Sequence, residues 1–287
     1  MFCGGRGVLR VDAGQGGMMP VRSHPMVRLS GGQRSDGSRK LPEEVAVALS
    51  YNGTTQAVMM ATPADLEDFA RGFTLTEGIA DPAGIAGIAP VETALGIDLQ
   101  IWLEPGAAAR LANRRRMMAG PVGCGLCGIE SLEEAMRPVQ PVAEGVTLDA
   151  AGLCRGIAEL QKHQPFHDAA RALHAAAFWL PDAGVVLARE DVGRHNALDK
   201  LAGGMLARGL AAGQGAVLLT SRLSVDLVQK AARIGAPVLV AVSAPTGAAL
   251  ALAEACGITV VAMARPDRIE IYTHPHRIEM KDSADVA

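Results

Sequence analysis

The chain has 287 residues, which sets an expectation of about two domains of ~150 residues each. With 49% apolar and 20% charged residues it is not a disordered chain, and with 3% aromatics its core must be built from Ala, Val, Leu, Ile and Met. Residues 1–40 hold six Arg and Lys40 against Asp12 and Asp36, net +5, whereas the remainder is net −8, which argues against a nucleic-acid-binding body.

Residues 1–40 also carry nine Gly and no long apolar run, so they fit neither a secretory nor a twin-arginine signal and are expected to be a flexible extension. No stretch of ~18 uncharged apolar residues follows, so no membrane span is expected. Residues 44–49 (EVAVAL) predict a strand, Tyr51-Asn52-Gly53 a turn and residues 55–60 a second strand. Thr62 is placed to cap a helix with Pro63 in its first turn, and Leu66, Phe69, Ala70 and Phe73 fall at helical spacing up to Gly78. Residues 91–103 predict a strand and residues 105–117 a basic helix. These pieces predict a small α+β domain over residues 41–115.

Residues 116–147 predict a loop and linker. They contain Gly123-Cys124-Gly125-Leu126-Cys127-Gly128, a capping-box pair at Ser131 and Glu134, and Pro138 and Pro141. Residues 148–287 predict an α/β domain. A helix over 148–161 precedes strands at 185–189, 216–220, 237–242 and 258–264, with helices at 192–206, 225–234 and 247–256 and an edge strand at 269–272. Short strands without alternation, separated by helices, predict a mostly parallel sheet covered on both faces.

In such a sheet ligands bind beyond the carboxyl ends of the strands. Those ends are Glu190-Asp191, Thr220-Ser221-Arg222, Ser243-Ala244-Pro245-Thr246 and Arg265-Pro266-Asp267-Arg268. Hydroxyls, guanidinium groups and helix N-termini are what an anionic ligand needs, although N-capping alone would also place hydroxyls there. The run Glu190 to Lys200 is unusually polar for such a junction. It places His195 with Asp199, and Asn196 with Lys200, on shared helix faces.

The five cysteines (Cys3, Cys124, Cys127, Cys154 and Cys256) are an odd, sparse set, which points to a reducing, cytoplasmic setting and not to a disulfide framework. Cys154 and Cys256 lie in apolar helical patterns and are expected in the core. The Cys124–Cys127 segment admits four readings. A dinucleotide fingerprint lacks its preceding strand, since Arg114 to Met118 stands there. A structural zinc would have to draw on His163 and His167, which are far away and separated by Pro165. A thioredoxin-type dithiol wants a strand before it and a helix after it. A nucleophilic or sulfur-carrying thiol fits best: the glycines leave it unshielded, and Arg114, Arg115 and Arg116 would favour the thiolate.

The residues quoted resemble the FdhD family, the sulfur carriers required for formate dehydrogenase activity. The matching segments are Thr62-Pro63, Asp68 to Phe73, Glu77-Gly78-Ile79, Cys124 to Gly128, Glu190 to Lys200, Ser221 to Ser224, Val228-Gln229-Lys230, Ala241 to Thr246 and Tyr272 to Pro275. The resemblance implies that Cys124 carries a persulfide taken from a cysteine desulfurase, with Cys127 assisting or resolving. It implies transfer of that sulfur to the molybdenum cofactor, as Mo-bis(molybdopterin guanine dinucleotide), before insertion into formate dehydrogenase.

By the same resemblance Met263, Ala264, Arg265, Pro266, Asp267 and Arg268 match the family's cofactor-binding stretch. Ser221, Arg222, Ser243, Thr246, Asp191, Arg194, His195 and Asn196 are the further rim candidates. A cytidine-deaminase-like, three-layer C-terminal domain and a homodimer are also implied, with no catalytic metal, no nucleic acid and no membrane. The zinc signature of a working deaminase is absent, because His174 is followed by Ala175-Ala176 with no Glu. The family often shows Thr-Gly shortly before this His, where this chain has Arg171-Ala172-Leu173. A cofactor chaperone with secondary thiols, or a zinc protein, are the alternatives.

Overall fold

The computed structural model describes residues 18–118 and 139–279, so Cys3, Cys124 and Cys127, and the helix expected after Ser131, lie outside the described residues. Strands β1 (Val21–Ser30) and β2 (Gln33–Pro42) pair antiparallel from Ser30↔Gln33 to Val21↔Pro42. Gly31 and Gly32 both take positive φ between them. This replaces the expected unstructured extension over residues 21–40. Gly-Gly is a two-residue hairpin turn that only residues without a Cβ penalty make readily.

Strands β3 (Val45–Tyr51), β4 (Thr54–Ala61), β5 (Ile85–Thr93) and β6 (Gly96–Leu103) form a sheet ordered β4-β3-β6-β5. The turn at Asn52-Gly53 is as expected, with both residues at positive φ. The one strand expected over 91–103 is instead parts of two strands of a hairpin, reversed at residues 94–95, and Gly96 (φ 147) approaches the Ala46 carbonyl too closely for any side chain. Helices α1 (Leu66–Thr76) and α2 (Pro105–Met118) cover one sheet face. Phe69, Phe73, Ala107 and Leu111 close on Val47, Leu49, Leu99 and Ile101. Asp65, in the left-handed region, begins α1 in place of the expected Thr62.

The second half contains β7 (Leu148–Asp149), α3 (Ala150–Leu160), α4 (Pro165–Ala170), β8 (His174–Leu180), β9 (Gly184–Asp191) and α5 (Arg194–Ala207). It continues with β10 (Ala216–Leu219), α6 (Val225–Ile234), β11 (Val238–Ala241), α7 (Gly247–Ala255), β12 (Thr259–Arg265), β13 (Arg268–Ile271) and β14 (Ile278–Glu279). Six strands form one sheet ordered β13-β12-β11-β10-β8-β9.

Only β10–β11 and β11–β12 pair parallel, while β8 runs antiparallel to both its neighbours and β13 antiparallel to β12, so the mostly parallel expectation is corrected to a mixed sheet. The cause is β8, an Ala-rich run (HAAAFWL) without strand alternation that slots between β9 and β10. Two reversals restore direction, so β9, β10, β11 and β12 still point the same way and their carboxyl ends share one edge.

The sheet is buried on both faces. Leu153, Ile157 and Leu160 of α3 pack on Ala175, Trp179, Leu218 and Val240. On the opposite face α5, α6 and α7 supply Leu198, Leu201, Leu227, Ala231 and Ala253 against Val217, Leu219, Leu239 and Val260. The two halves join where α1 crosses α5. Added Cβ atoms on Gly72 and Gly203 would fall 1.7 Å from the Asp199 carbonyl oxygen and 1.8 Å from that of Asp68. Only glycine permits that approach.

Candidate functional site

The shared edge is stitched together by its own loops. Leu223 and Pro245 form an isolated parallel bridge, with Leu223 N–H donating to Ala244 O at 3.2 Å and Thr246 N–H to Leu223 O at 3.0 Å. The segments after β10 and β11 are thus fixed side by side. Thr220 Oγ1 accepts from Ala175 N–H at 2.8 Å and so ties the start of β8 to the same edge. Pairing of His174 with Asp191 brings His174 there too.

The segment 263–268 turns at this edge between β12 and β13. Met263 is held at φ 49 beside a register shift between Ala262 and Arg265. A bulky residue at positive φ is a conformational outlier, and such strain clusters at ligand-holding sites. Ala264 is buried; Pro266, Asp267 and Arg268 are exposed. Arg265 Nη1 donates to Val242 O at 2.6 Å and Ala264 O at 2.8 Å, so this guanidinium braces two strand ends. Asp267 lies close enough to Cys154 for its charge to help burial push that thiol's pKa up.

The remaining rim candidates separate into two groups. Arg222 and Thr246 are exposed, Ser243 is half-buried, and Thr246 Oγ1 accepts from Ala249 N–H at 3.2 Å as the cap of α7. Ser221 is buried and donates to Arg222 O at 3.1 Å. At the start of α5, Arg194 Nε and His195 Nε2 are shielded from solvent without a hydrogen-bond partner. Ser224 Oγ, at the start of α6, is in the same condition. It makes no cap hydrogen bond, although it stands at the N-cap position of α6. Burial first, then Arg194 and Lys230, push the His195 imidazole below its ordinary value. Burial and Arg194 do the same to His174.

Asp191 and Asn196 lie beneath the rim, not on it. Asp191 is fully buried. One carboxylate oxygen accepts from Lys200 Nζ at 2.7 Å and Thr62 N–H at 3.0 Å. The other accepts from Gly193 N–H at 2.8 Å and Asn196 Nδ2 at 3.0 Å. Asn196 also donates to Met60 O at 2.8 Å, and Lys200 to Thr62 O at 2.8 Å. These residues therefore lock the end of β4 to the head of α5.

A second lock was not legible as such. Lys230 Nζ donates to Asp199 (2.8 Å), Glu77 (2.6 Å) and Thr76 Oγ1 (3.1 Å). Burial pushes this ammonium down, but Asp199 and Glu77 outweigh it and hold the pKa above its ordinary value. Glu190 is used internally as well: its carboxylate accepts from Phe166 and His167 N–H at 2.9 and 2.7 Å and caps α4.

The fold and the edge define a mixed α/β unit, locked to a four-stranded companion, whose edge carries shielded polar atoms without a hydrogen-bond partner at Arg194, His195 and Ser224. The family model for the FdhD/NarQ family matches residues 42–279, and the chain belongs to this family. The sulfur carrier protein FdhD of Agrobacterium fabrum is 50% identical over 250 residues, covering 86% of this chain and 92% of that protein. The protein of the same name from Brucella abortus is 50% identical over 257 residues, covering 89% and 95%. A crystal structure from Desulfotalea psychrophila, provisionally assigned as a formate dehydrogenase accessory protein, superposes with a TM-score of 0.71 at 27% identity. It covers 91% of this chain and 100% of that one.

Proposed function

We propose that this chain is a cytoplasmic sulfur carrier that serves formate dehydrogenase, with Cys124 as the sulfur-bearing residue. The observation that supports it most is the family match across residues 42–279, a range that contains Cys124-Gly125-Leu126-Cys127, together with relatives named as sulfur carriers. Among the described residues no helix is long and apolar enough to cross a membrane.

In this reading the Cys124 thiolate attacks the outer sulfur of a cysteine desulfurase persulfide. A new S–S bond forms on Cys124, the desulfurase S–S bond breaks, and the desulfurase cysteine leaves as a thiolate, with no net oxidation. Cys127 assists or resolves the loaded state. The acceptor is Mo-bis(molybdopterin guanine dinucleotide), bound as substrate before it enters formate dehydrogenase. Its phosphates suit the edge described above, where Arg194 and Ser224 carry polar atoms without a hydrogen-bond partner, His195 Nε2 stands 3.7 Å from Asp226, and Arg222 and Arg268 are exposed. A three-layer unit of cytidine-deaminase type and a homodimer complete the reading.

The test is direct. Incubation with a desulfurase and cysteine is expected to place one labile sulfur on the Cys124 peptide, read by mass spectrometry. Cys124→Ala is expected to lose the adduct and to fail to restore formate dehydrogenase activity in a strain lacking this protein. An adduct that survives Cys124→Ala refutes the assignment. At the edge, Arg268→Ala is expected to weaken GDP binding about tenfold, the loss of one charge-assisted hydrogen bond.

A further inference from the structure

Helices α5 and α6 lie side by side on one face of the six-stranded sheet, and both begin at the same edge. On α5, His195 and Asp199 are four residues apart and share a helix face; on α6, Asp226 and Lys230 do the same. The two faces meet, so the seam between the helices carries two rungs, each of one acid and one base. The inner rung is complete. Lys230 Nζ donates to Asp199 at 2.8 Å, with side-chain exposures of only 8% and 1%. The outer rung, at the edge, is open. His195 Nε2 stands 3.7 Å from Asp226 Oδ2, beyond hydrogen-bond length, and is shielded from solvent with no hydrogen-bond partner among the described residues.

The groups around the ring explain why this rung is open. Burial, then Arg194 on α5 and Lys230 on α6, outweigh Asp226 on α6 and Glu77 at the end of α1, and the neutral imidazole is favoured. A neutral ring draws a carboxylate less strongly than an imidazolium does. The His195 side chain is 30% exposed, and with Nε2 turned inward Nδ1 is the ring nitrogen left to meet a ligand. Asp226 itself is out of place if it acts alone. An acid in the first turn of a helix is ordinary, but a carboxylate beside an edge that takes an anion repels the ligand unless a nearby base compensates it.

We propose that Asp226 is the positioning residue of His195, holding its Nε2–H so that an incoming anion is met by a second proton on Nδ1. This inference rests on the anion-binding edge of the proposed function and adds how that edge gains its charge. In the free protein the ring carries one proton, on Nε2, facing Asp226. An anionic oxygen reaching Nδ1 brings negative charge to its other side. Nδ1 then takes up one proton from solvent, and the imidazolium donates to the ligand from Nδ1 and to Asp226 from Nε2. The outer rung closes toward the ~2.8 Å of a charge-assisted hydrogen bond. The inner rung already fixes the spacing of α5 and α6, so side-chain movement alone suffices.

The test is GDP binding to the full chain by calorimetry, from about pH 5.5 to about pH 8.5, across which a histidine changes charge. Thermal melts confirm that each variant folds. Asp226→Asn is expected to weaken binding about five- to tenfold at the acid end and less than about twofold at the alkaline end, where the ring is neutral in both proteins. Asp226→Glu is expected to keep the native profile. In a His195→Gln background the acid-end loss from Asp226→Asn is expected to vanish. A carboxylate that only repels the ligand predicts the opposite sign, tighter binding by Asp226→Asn at every pH, and that result overturns the proposal. A loss of equal size at every pH overturns it as well, since a structural role or a direct ligand contact gives that pattern. Either result leaves the anion-binding edge standing. A native chain that binds no GDP at any pH overturns the edge and this inference together.

Discussion

Replacing Asp191 by Asn separates a structural from a ligand-contacting role for this residue. The side chain keeps its shape but loses its charge and one acceptor atom. Each carboxylate oxygen now accepts two donors, so whichever oxygen becomes an amide group leaves two buried donors unmatched. Lys200, with 0% side-chain exposure, also loses its counter-ion. Breaking a buried pair in this way costs about 3–5 kcal/mol, a large part of the ~5–15 kcal/mol that holds a protein folded. With a urea m-value of ~2 kcal/mol/M, the unfolding midpoint followed by circular dichroism should fall by roughly 1.5–2.5 M. Adding Lys200→Met to Asp191→Asn should recover part of the loss, because it removes the stranded ammonium. GDP affinity of the folded variant should change by less than about threefold, under 1 kcal/mol. A variant with unaltered stability and lost GDP binding would show that Asp191 faces the ligand and would refute the lock.

Three further expectations follow from single positions. Gly72→Ala places a methyl group 1.7 Å from the Asp199 carbonyl oxygen; the helices must part, at about 3 kcal/mol or more, and a melting temperature lowered by less than ~3 °C would refute the crossing geometry. Arg171 ends α4 at φ 60, a left-handed conformation that glycine adopts without strain. Arg171→Gly should therefore gain about 0.5–1 kcal/mol after glycine's extra unfolded-state entropy is counted, and the ion pair to Asp168 is too exposed to offset it; a lower melting temperature would contradict this. Burial first, then Arg194 and Lys230, hold the His195 pKa below its ordinary value in the free protein, against Asp226 and Glu77, which favours the neutral imidazole. A bound phosphate favours the imidazolium, so GDP affinity should rise as pH falls more steeply in the native chain than in His195→Gln, and parallel pH profiles would remove His195 from the proposed anion-binding edge.

The strands β10, β11 and β12 were legible because continuous apolar runs between helices have one physical explanation, burial on both faces. β8 was not, since three consecutive alanines favour a helix in isolation, and only pairing with β9 and β10 makes them a strand. The β1–β2 ribbon escaped notice for the opposite reason. An exposed strand needs no apolar face, which left Gly31-Gly32 as its one local signal. At the edge, the strand ends were placed correctly because chain direction alone decides them. What direction does not reveal is which polar side chains turn inward.

Helix geometry settles that for the run Glu190 to Lys200. Asn196, Asp199, Lys200 and Gly203 recur at three- and four-residue steps and share the face of α5 that meets α1 and the end of β4. Arg194 and His195 begin the helix, where backbone N–H groups are free and the dipole is positive. A cluster that looks uniform in sequence is thus divided between two tasks about one helical turn apart. The inner residues fasten the four-stranded unit to α5, and the outer ones stand at the proposed binding edge. Because the same short helix does both, the position of Arg194 and His195 at the edge is set by how β4 and α1 sit against it. Loosening the Asp191–Lys200 or Asp199–Lys230 contacts would accordingly shift the proposed binding edge through α5, although these four side chains pair with one another beneath it.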